Sequence, residues 1–491
     1  MPKSEAAKER KTDEGITANK EKDFSEWYQQ VLIKGELIDY SPVSGCYVMR
    51  PTSYAIWERI QSLMDEKFKE MGVRNVYFPM LIPESLLKKE SEHVAGFSPE
   101  VAWVTQGGDK QLPERLAIRP TSETIMYALF AKWIRSHRDL PLKINQWCNI
   151  VRWEFRDPVP FLRAREFLWQ EGHTVFATKE EAEKETFQIL QLYRTILEDF
   201  FSIPVIAGRK SEKEKFAGAE YTLSLETFLP NGKAIQCCTS HHLGQRFGKA
   251  FELEFFDADG NKKYPWQNSW GLSTRTIGIM VMMHSDNKGL VIPPKLSPLH
   301  AVIVPIYYAD SKKSVLSEAK MIAEDLKKAG FNILVDEREE YTPGWKFNEW
   351  ELHGVPLRLE IGPKDVEKKQ VVIVRRDNGE REAVKVTELR QKVTQLLETI
   401  QKALFEKAKS TLTASIFEAK DWNEFVAAIE GKKLVRAAWC EKVECEEQIK
   451  TKTGGAKSVC IPLEQPNNIP NKKCIHCENR ATVVAFFAKS Y

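Results

Sequence analysis

The chain has 491 residues, of which 42% are hydrophobic and 29% charged, and its formal net charge is only +3. This length is too great for one hydrophobic core and predicts about three domains. Because the net charge is close to zero, any nucleic-acid interface must be a local basic face. No apolar run reaches the roughly 20 residues of a membrane span, and residues 1–22 lack the apolar centre of a secretory signal, so we expect a mobile tail there and no membrane contact.

The first predicted element is a helix over residues 52–71, in which apolar side chains recur at helical spacing until Gly72. A strand within VRNVYFPML, from Val73 to Pro79, is predicted to follow it. Helix, glycine and strand in this order are common in proteins. The pattern alone therefore indicates no function.

The hexapeptide RPTSET, residues 119–124, precedes a second predicted helix over residues 124–134. Thr121 or Ser122 fits the N-cap position, and Glu123 would complement the helix dipole. The same hydroxyl and carboxylate also suit an ammonium group, since a desolvated cation with two N–H donors needs strong acceptors. The two roles are compatible, because a capped loop is a rigid one.

Two further strands are predicted over residues 144–155 and 165–176, joined by a loop that contains two prolines. Alternation puts polar and aromatic side chains on shared faces: Arg152 with Glu154 on the first strand, and Trp169 with Glu171 and His173 on the second. Charged groups on such apolar strands indicate a lined pocket, because buried charge is costly unless it is paired. A hairpin with ion pairs on its solvent face is the alternative.

The next region is predicted to contain a helix over residues 179–201 and two strands that turn at Gly232. The second of these strands carries Gln236 and leads into TSHH, residues 239–242. Paired histidines are often surface residues or metal ligands, but no third ligand lies at a suitable spacing. Metal binding by this pair is therefore not favoured.

The segment SWGLSTRTIG, residues 269–278, is predicted to open a helix that continues to Met283. Arg275 lies in the first turn of this helix, where a cation opposes the helix dipole. A locally unfavourable charge of this kind is typical of a functional site.

Strands and helices alternate from Leu299 onward, which predicts a small α/β domain. An amphipathic helix over residues 388–408 is predicted to lead into the last segment.

This last segment holds two cysteine pairs, Cys440-x4-Cys445 and Cys474-x2-Cys477. The spacing predicts a structural Zn²⁺ site, with incidental free thiols as the alternative. His476 or Cys460 could replace one of the four ligands. Nine cysteines without a secretory signal favour reduced thiols and a cytoplasmic protein.

In chain order these motifs resemble motifs 1, 2 and 3 of the class II aminoacyl-tRNA synthetases. NQWCN, RWEF and FLRAREFLWQEGH, within residues 145–173, are similar to the prolyl-tRNA synthetases of archaea and the eukaryotic cytosol. The resemblance implies a proline–tRNA ligase that joins L-proline to tRNA(Pro) through a prolyl-adenylate, with ATP and Mg²⁺. It also implies a cytoplasmic homodimer whose subunits meet at motif 1, the helix and strand within residues 52–79.

The fold class implied is an α/β multidomain protein. A class II synthetase core built on an antiparallel sheet would occupy residues 23–298. An α/β anticodon-binding domain would occupy residues 299–405, and a small α+β C-terminal zinc domain residues 406–491.

The resemblance also implies site residues. It assigns proline contacts to Thr121, Glu123, Arg152, Trp169, Glu171, His173 and His241. It assigns ATP contacts to Arg152, Glu154, Arg163, Gln236, Thr239, Ser273 and Arg275, with Arg152 and Arg275 as the catalytic pair.

In the α/β domain, Glu351, Arg358 and Lys364 are candidate anticodon readers. Arginine can contact guanine through two hydrogen bonds, and glutamate can accept from guanine. An ordinary solvated domain edge is the alternative for each of them.

Two other functions fit parts of the pattern. Another class IIa synthetase, such as the threonyl or glycyl enzyme, would be distinguished by an amino-acid panel in ATP–pyrophosphate exchange. A non-catalytic RNA-binding paralogue is disfavoured, because such proteins usually lose the ATP-contacting arginines and this chain keeps Arg152 and Arg275.

Overall fold

The computed structural model describes residues 15–93, 100–154, 157–466, 469 and 473–491. Most of the predicted tail, residues 1–14, lies outside the described residues, as does Phe155 at the end of a predicted strand. Residues 15–22 pack on the protein: Lys20 Nζ donates to Ser285 O at 2.6 Å, and Thr17 N donates to Gln30 Oε1 at 2.8 Å. The composition of this short segment does not predict that packing.

The elements of the first unit end at residue 284. Its helices are α1 (Phe24–Lys34), α2 (Pro51–Glu70), α3 (Glu84–His93), α4 (Glu123–Trp133), α5 (Lys179–Thr195), α6 (Arg246–Ala250) and α7 (Arg275–His284). Its strands are β1 (Ile38–Tyr40), β2 (Tyr47–Met49), β3 (Arg74–Asn75), β4 (Leu81–Pro83), β5 (Trp103–Gly107), β6 (Lys110–Ile118), β7 (Leu142–Val151), β8 (Glu166–Phe176), β9 (Ile206–Arg209), β10 (Tyr221–Phe228), β11 (Ala234–Gly244), β12 (Phe255–Phe256), β13 (Lys262–Lys263) and β14 (Trp266–Ser273). A 3₁₀ turn lies at His137–Asp139 and a π turn at Ile196–Phe200.

The centre of this unit is an antiparallel sheet in the order β9-β10-β11-β14-β8-β7, with β3 parallel to β7 at the edge. Helix α5 packs on one face and leaves the other face for a pocket. On the α5 side, Gly172 makes room for the buried Trp270 ring, because a Cβ at Gly172 would lie 2.2 Å from ring carbons. The large indole thus fills the core beneath the pocket.

The strand predicted over residues 73–79 is wrong in extent, since only Arg74 and Asn75 are in β3. The chain then leaves the sheet because the Phe78 amide donates to the Gln146 side chain at 2.5 Å instead of to a neighbouring strand. The strand predicted over residues 144–155 also ends early, at Val151. Trp153 and Glu154 form a turn, and the Trp153 amide donates to Glu100 O at 3.1 Å.

The second unit is the predicted α/β fold. It contains α8 (Lys312–Lys328), α9 (Pro343–Leu352), α10 (Pro363–Lys368) and α11 (Leu389–Ser415), with a 3₁₀ turn at Val386–Glu388. Its strands are β15 (Ala301–Pro305), β16 (Ile333–Val335), β17 (Leu357–Ile361), β18 (Gln370–Arg375) and β19 (Arg381–Lys385), in the order β16-β15-β17-β18-β19. Strand β15 is parallel to β16 and β17, and the other pairs are antiparallel.

The last unit contains α12 (Trp422–Glu430), α13 (Val443–Lys452), and strands β20 (Ile416–Glu418), β21 (Leu434–Trp439), β22 (Lys457–Pro462) and β23 (Val483–Ala488). These strands order as β20-β21-β23-β22, and β22 pairs antiparallel with β9. The central and C-terminal sheets are therefore one sheet of 11 strands. Among the helices of the described residues, none combines the length and apolar character needed to span a membrane.

Candidate active site

A pocket of about 220 Å³ opens on the face of the central sheet opposite α5. It brings together most residues predicted to bind proline or ATP: Thr121, Glu123, Arg152, Trp169, Glu171, His173, Gln236, Thr239, His241, Ser273 and Arg275. Two predicted ATP contacts do not line it. Glu154 is exposed in the turn after β7, and Arg163 lines a neighbouring cavity that shares Gln236 and Arg275 with the pocket.

Sheet register explains how separate segments meet. Paired residues on adjacent antiparallel strands point to the same face. One row across the sheet is His173–Ser269–His241–Thr222, and the next is Glu171–Gly271–Thr239–Ser224. Both rows therefore face the pocket. Gly271, in the second row, has no side chain and so leaves space in the pocket. A Cβ atom at this position would lie 3.3 Å from Gln170 O.

The Glu171 carboxylate holds the loop that precedes α4. It accepts from Ser122 N at 3.1 Å, from Ser122 Oγ at 2.5 Å and from Gln146 Nε2 at 3.0 Å. Ser122 does occupy the N-cap position of α4, but its side chain makes no capping hydrogen bond. The predicted capping by a side chain is thus wrong, because the hydroxyl serves Glu171 instead. Thr121 donates its hydroxyl to Glu123, and both line the pocket.

His173 and Glu171 form a buried pair, with Nε2 and Oε2 3.1 Å apart. Burial acts to lower the pKa of His173, but the hydrogen bond to Glu171 and the charges of Glu123 and Glu171 outweigh it and raise that pKa. Burial acts to raise the pKa of Glu171, but the hydrogen bond from His173 outweighs burial, so the pKa of Glu171 is lowered. Each member of the pair thus favours the charged form of the other.

His241 is held differently. Its Nδ1 and Nε2 lie 2.9 Å from the hydroxyls of Thr222 and Thr239, and the Phe216 ring packs against it at 4.8 Å. Burial, followed by repulsion from His173 and Arg152, lowers the pKa of His241 to about 3. This imidazole is neutral at physiological pH. Sequence reasoning missed Phe216, Thr222 and Ser269 as pocket residues.

Two arginines supply the positive charge of the pocket. Arg152 Nε donates to Pro120 O at 3.1 Å, and its guanidinium lies 5.5 Å from the Trp169 ring. Arg275 donates to Leu162 O at 3.2 Å and Gln236 O at 3.3 Å. Burial lowers the pKa of both, and repulsion from Arg152 helps to lower that of Arg275 to about 10. Both stay charged at neutral pH and are suited to bind an anion.

The four predicted cysteine ligands form one cluster in the C-terminal unit, with their sulfur atoms all within 4.8 Å of one another. Cys440 Sγ lies 3.5 Å from Cys477 Sγ, and Cys445 Sγ lies 3.7 Å from Cys474 Sγ. A tetrahedral zinc with Zn–S bonds of about 2.3 Å requires S–S separations of roughly 3.8 Å. The donor set therefore fits Zn²⁺.

The two alternative ligands lie outside that four-sulfur set. His476 Nδ1 is 3.5 Å from Cys445 Sγ, while its Nε2 is 3.0 Å from Lys452 Nζ. Cys460 lies in β22, beside Gly208.

The adjacent histidines of β11 point to opposite sides of the sheet, because successive strand residues alternate faces. His241 faces the pocket, and His242 forms a hydrogen bond with Asn268 Oδ1 at 3.0 Å.

The anticodon candidates are only partly together. Glu351 Oε1 and Arg358 Nη1 are 3.9 Å apart and line one small cleft. Lys364 is exposed on α10 and does not line that cleft. Sequence reasoning missed Arg376, which lines the same cleft and forms two hydrogen bonds to Asp286 at 2.7 and 2.8 Å. Arg376 thus connects the α/β unit with the segment that follows α7.

Three family models match successive parts of the chain. The class II core domain of tRNA synthetases (G, H, P, S and T) matches residues 103–284 and the anticodon binding domain residues 300–396. The C-terminal domain of prolyl-tRNA synthetase matches residues 422–491.

Several named proteins are similar along nearly the whole chain. The cytoplasmic proline–tRNA ligase of Arabidopsis thaliana is 48% identical over 98% of this chain and 92% of its own. Proline–tRNA ligase 2 of Clostridioides difficile is 49% identical over 96% of this chain and 97% of its own. The bifunctional glutamate/proline–tRNA ligase of Drosophila melanogaster is 46% identical over 99% of this chain but only 30% of its own length.

The opposite pKa directions of the two pocket histidines give a spectroscopic prediction. In histidine-labelled protein, ¹⁵N chemical shifts should report a neutral His241 from about pH 5 to pH 8, while His173 stays protonated above its usual pKa. Because its pKa is raised, the stabilisation from His173 is complete below the unfolded pKa and is lost as pH rises through the folded one.

Glu171→Gln serves as the comparison variant, since it removes the carboxylate whose hydrogen bond is the largest cause that raises the pKa of His173, while the charge of Glu123 remains. The His173 resonance should then titrate at lower pH. Titration of His241 within that range, or an unchanged His173 in the variant, would contradict the assignment.

Proposed function

The chain belongs to the prolyl-tRNA synthetases of class II, and from that premise we propose that its central pocket activates L-proline with ATP and passes the prolyl group to tRNA(Pro). One observation carries the proposal: Glu123, Arg152 and Arg275 converge in a single pocket from three separate segments. An acidic group and two cations side by side suit an amino acid lying against a nucleotide.

For proline, we assign the ammonium to the acidic side of the pocket. Glu123, Glu171 and His173 place ligand atoms within 4.8 Å of one another, and Glu171 is already bound by protein donors. Glu123, with Thr121 beside it, is therefore the carboxylate that would accept from the substrate's N–H groups. Trp169 and His241 would enclose the pyrrolidine ring, the latter as a neutral group that does not repel the ammonium.

For ATP, Arg152 would bridge the proline carboxylate and the α-phosphate, and Arg275 would bind the other phosphates. Gln236, Thr239 and Ser273 line the pocket beside them, and Arg163 approaches from the neighbouring cavity. Glu154 is exposed in the turn after β7 and would contact ATP from there. Mg²⁺ bound with ATP would neutralise phosphate charge.

The chemistry proposed has two steps. The proline carboxylate attacks the α-phosphorus, and pyrophosphate leaves as the prolyl-adenylate forms. The 3′-terminal adenosine of the tRNA then accepts the prolyl group and AMP leaves. A carboxylate is ionised at neutral pH, so the first step needs no general base, and positioning and charge neutralisation by Arg152 and Arg275 would supply the catalysis.

The C-terminal cysteines would hold a structural Zn²⁺, which supplies cross-linking and no reaction chemistry. A hydrogen bond from the Cys445 thiol lowers the pKa of Cys474, and the same pairing, together with burial, raises the pKa of Cys445, so Cys474 is the sulfur of this pair that more readily becomes a thiolate. Closing Cys440, Cys445, Cys474 and Cys477 around one ion would fasten β21 and α13 to the loop before β23.

In the α/β unit, the cleft with Glu351 and Arg358 is the proposed anticodon contact, and Lys364 would contact the tRNA backbone from outside it.

We also propose a homodimer, supported by Tyr77, Met80 and Leu81, which are exposed after β3. A cytoplasmic location is supported by the name of the Arabidopsis relative. The proposed domain limits are 23–298, 299–405 and 406–491.

Arg152→Ala should lower proline-dependent ATP–pyrophosphate exchange by about 100-fold or more, because it removes a cation from developing phosphate charge. Arg194→Ala, on the outer face of α5 where Arg194 pairs with Glu198, is the matched control and should retain wild-type exchange. Near-wild-type exchange in folded Arg152→Ala would rule out its catalytic role.

Zinc content gives a second prediction. Metal analysis of protein expressed with zinc should find about one zinc per chain, and Cys474→Ser should lose most of it and melt at lower temperature. Cys46→Ser, at a cysteine outside the cluster, should keep its zinc. A zinc-free wild type that melts like a zinc-loaded one would contradict a structural role.

Arg358→Ala should raise the KM for tRNA in aminoacylation about tenfold, as expected for one lost base contact, and leave tRNA-independent pyrophosphate exchange unchanged. Arg390→Ala, at an exposed position of α11, is the control. Thermal melting must accompany the assay, because Arg358 also pairs with the buried Glu360 at 3.0 Å. An unchanged KM in folded protein would exclude this contact.

A further inference from the structure

The junction between the catalytic and C-terminal units places one lysine in an unusual position. Strand β22 joins the sheet beside β9, with Ile461 opposite Arg209 and Pro462 opposite Gly208. The approach is close, because a Cβ on Gly208 would lie 2.7 Å from the Cys460 side chain. Lys210 follows β9 directly and is enclosed by this junction, with 6% of its surface exposed.

Lys210 makes contacts to both units. Its Nζ donates to Glu226 Oε1 on β10 at 3.0 Å and to Val459 O on β22 at 2.7 Å. Burial alone would lower the pKa of Lys210, but the Glu226 carboxylate outweighs it and raises that pKa. Glu226 is itself buried, with 2% of its surface exposed. Lys210 therefore neutralises an acid that water does not solvate.

The same acid lies beside the phosphate-binding arginine. Glu226, Lys210 and Arg275 line a cavity of about 150 Å³ that adjoins the substrate pocket. Glu226 pairs with Gln236 across the sheet, and Gln236 O accepts from Arg275 at 3.3 Å. Burial and repulsion from Arg152 lower the pKa of Arg275, while the charge of Glu226 acts in the opposite direction.

If the positive charge of Lys210 were removed, the buried carboxylate of Glu226 would lose its cation. Arg275 would then be a neighbouring positive group with which Glu226 could pair. An ion pair between those two would compete with phosphate for the guanidinium. We propose that Lys210 is a positioning residue for adenylate formation: it holds Glu226, with the C-terminal unit as its second anchor, and so keeps Arg275 available to the nucleotide. This inference rests on the proposed contact between Arg275 and ATP.

ATP–pyrophosphate exchange, measured at varied ATP and then at varied proline, tests this role in the full-length protein. Lys210→Met should raise the KM for ATP about tenfold while the KM for proline changes by less than about threefold, because the competition is for a phosphate ligand. Adding Glu226→Gln should return the KM for ATP to within about threefold of wild type, since the competing charge is gone.

Lys213→Met is the matched control, because Lys213 lies on the same segment and pairs with Glu447 in a partly exposed ion pair at 3.2 Å. Its KM values should equal those of wild type. If Lys210→Met does not fold, Lys210→Gln makes the same comparison, since it keeps an N–H donor and removes the charge.

Three results would overturn the inference: an unchanged KM for ATP in a folded Lys210 variant, a parallel rise of both KM values, or no restoration by Glu226→Gln. A simple loss of packing would not be reversed by neutralising Glu226. Absence of proline-dependent exchange in the wild-type protein would instead contradict the proposed function.

Discussion

The buried carboxylate of Glu171 is the interaction on which the pocket depends. It binds Ser122 of the loop before α4, Gln146 of β7 and His173 of its own strand. An ionised acid in this position would be costly without those partners, and each partner would lose its acceptor without the acid. The same set of hydrogen bonds thus fixes the sheet, the loop and the orientation of Thr121 and Glu123 toward the pocket.

The electrostatics of the pocket follow from that arrangement. Glu171 pairs with His173 and Glu214 pairs with Lys457, so Glu123 is the pocket acid that has no ion pair within the described residues, and the cations Arg152 and Arg275 line the same cavity. His241 adds shape without charge, since burial and neighbouring cations keep its pKa low. A region of negative potential and a region of positive potential therefore lie in one pocket, which suits a zwitterion beside a polyphosphate.

Local sequence patterns predicted much of this site, and tertiary contacts account for the rest. Helix periodicity and strand alternation gave β8, α5 and the shared face of Trp169, Glu171 and His173, since these depend only on nearby residues. The end of β7 was missed because it depends on a distant segment: the Trp153 amide leaves the sheet and donates to Glu100 O. Thr222 and Ser269 were missed because their placement depends on register with β11 and β8, which one strand's sequence does not encode.

The pairing of β22 with β9 has a consequence for how the protein is made. The catalytic sheet would have a bare edge at β9 until strands from much later in the chain have emerged from the ribosome and folded. A bare edge of this kind offers unpaired backbone groups to other chains, and contacts between distant segments form slowly. Truncation before β22 would leave that edge permanently open, so loss of the C-terminal unit should promote self-association as well as alter the neighbouring site.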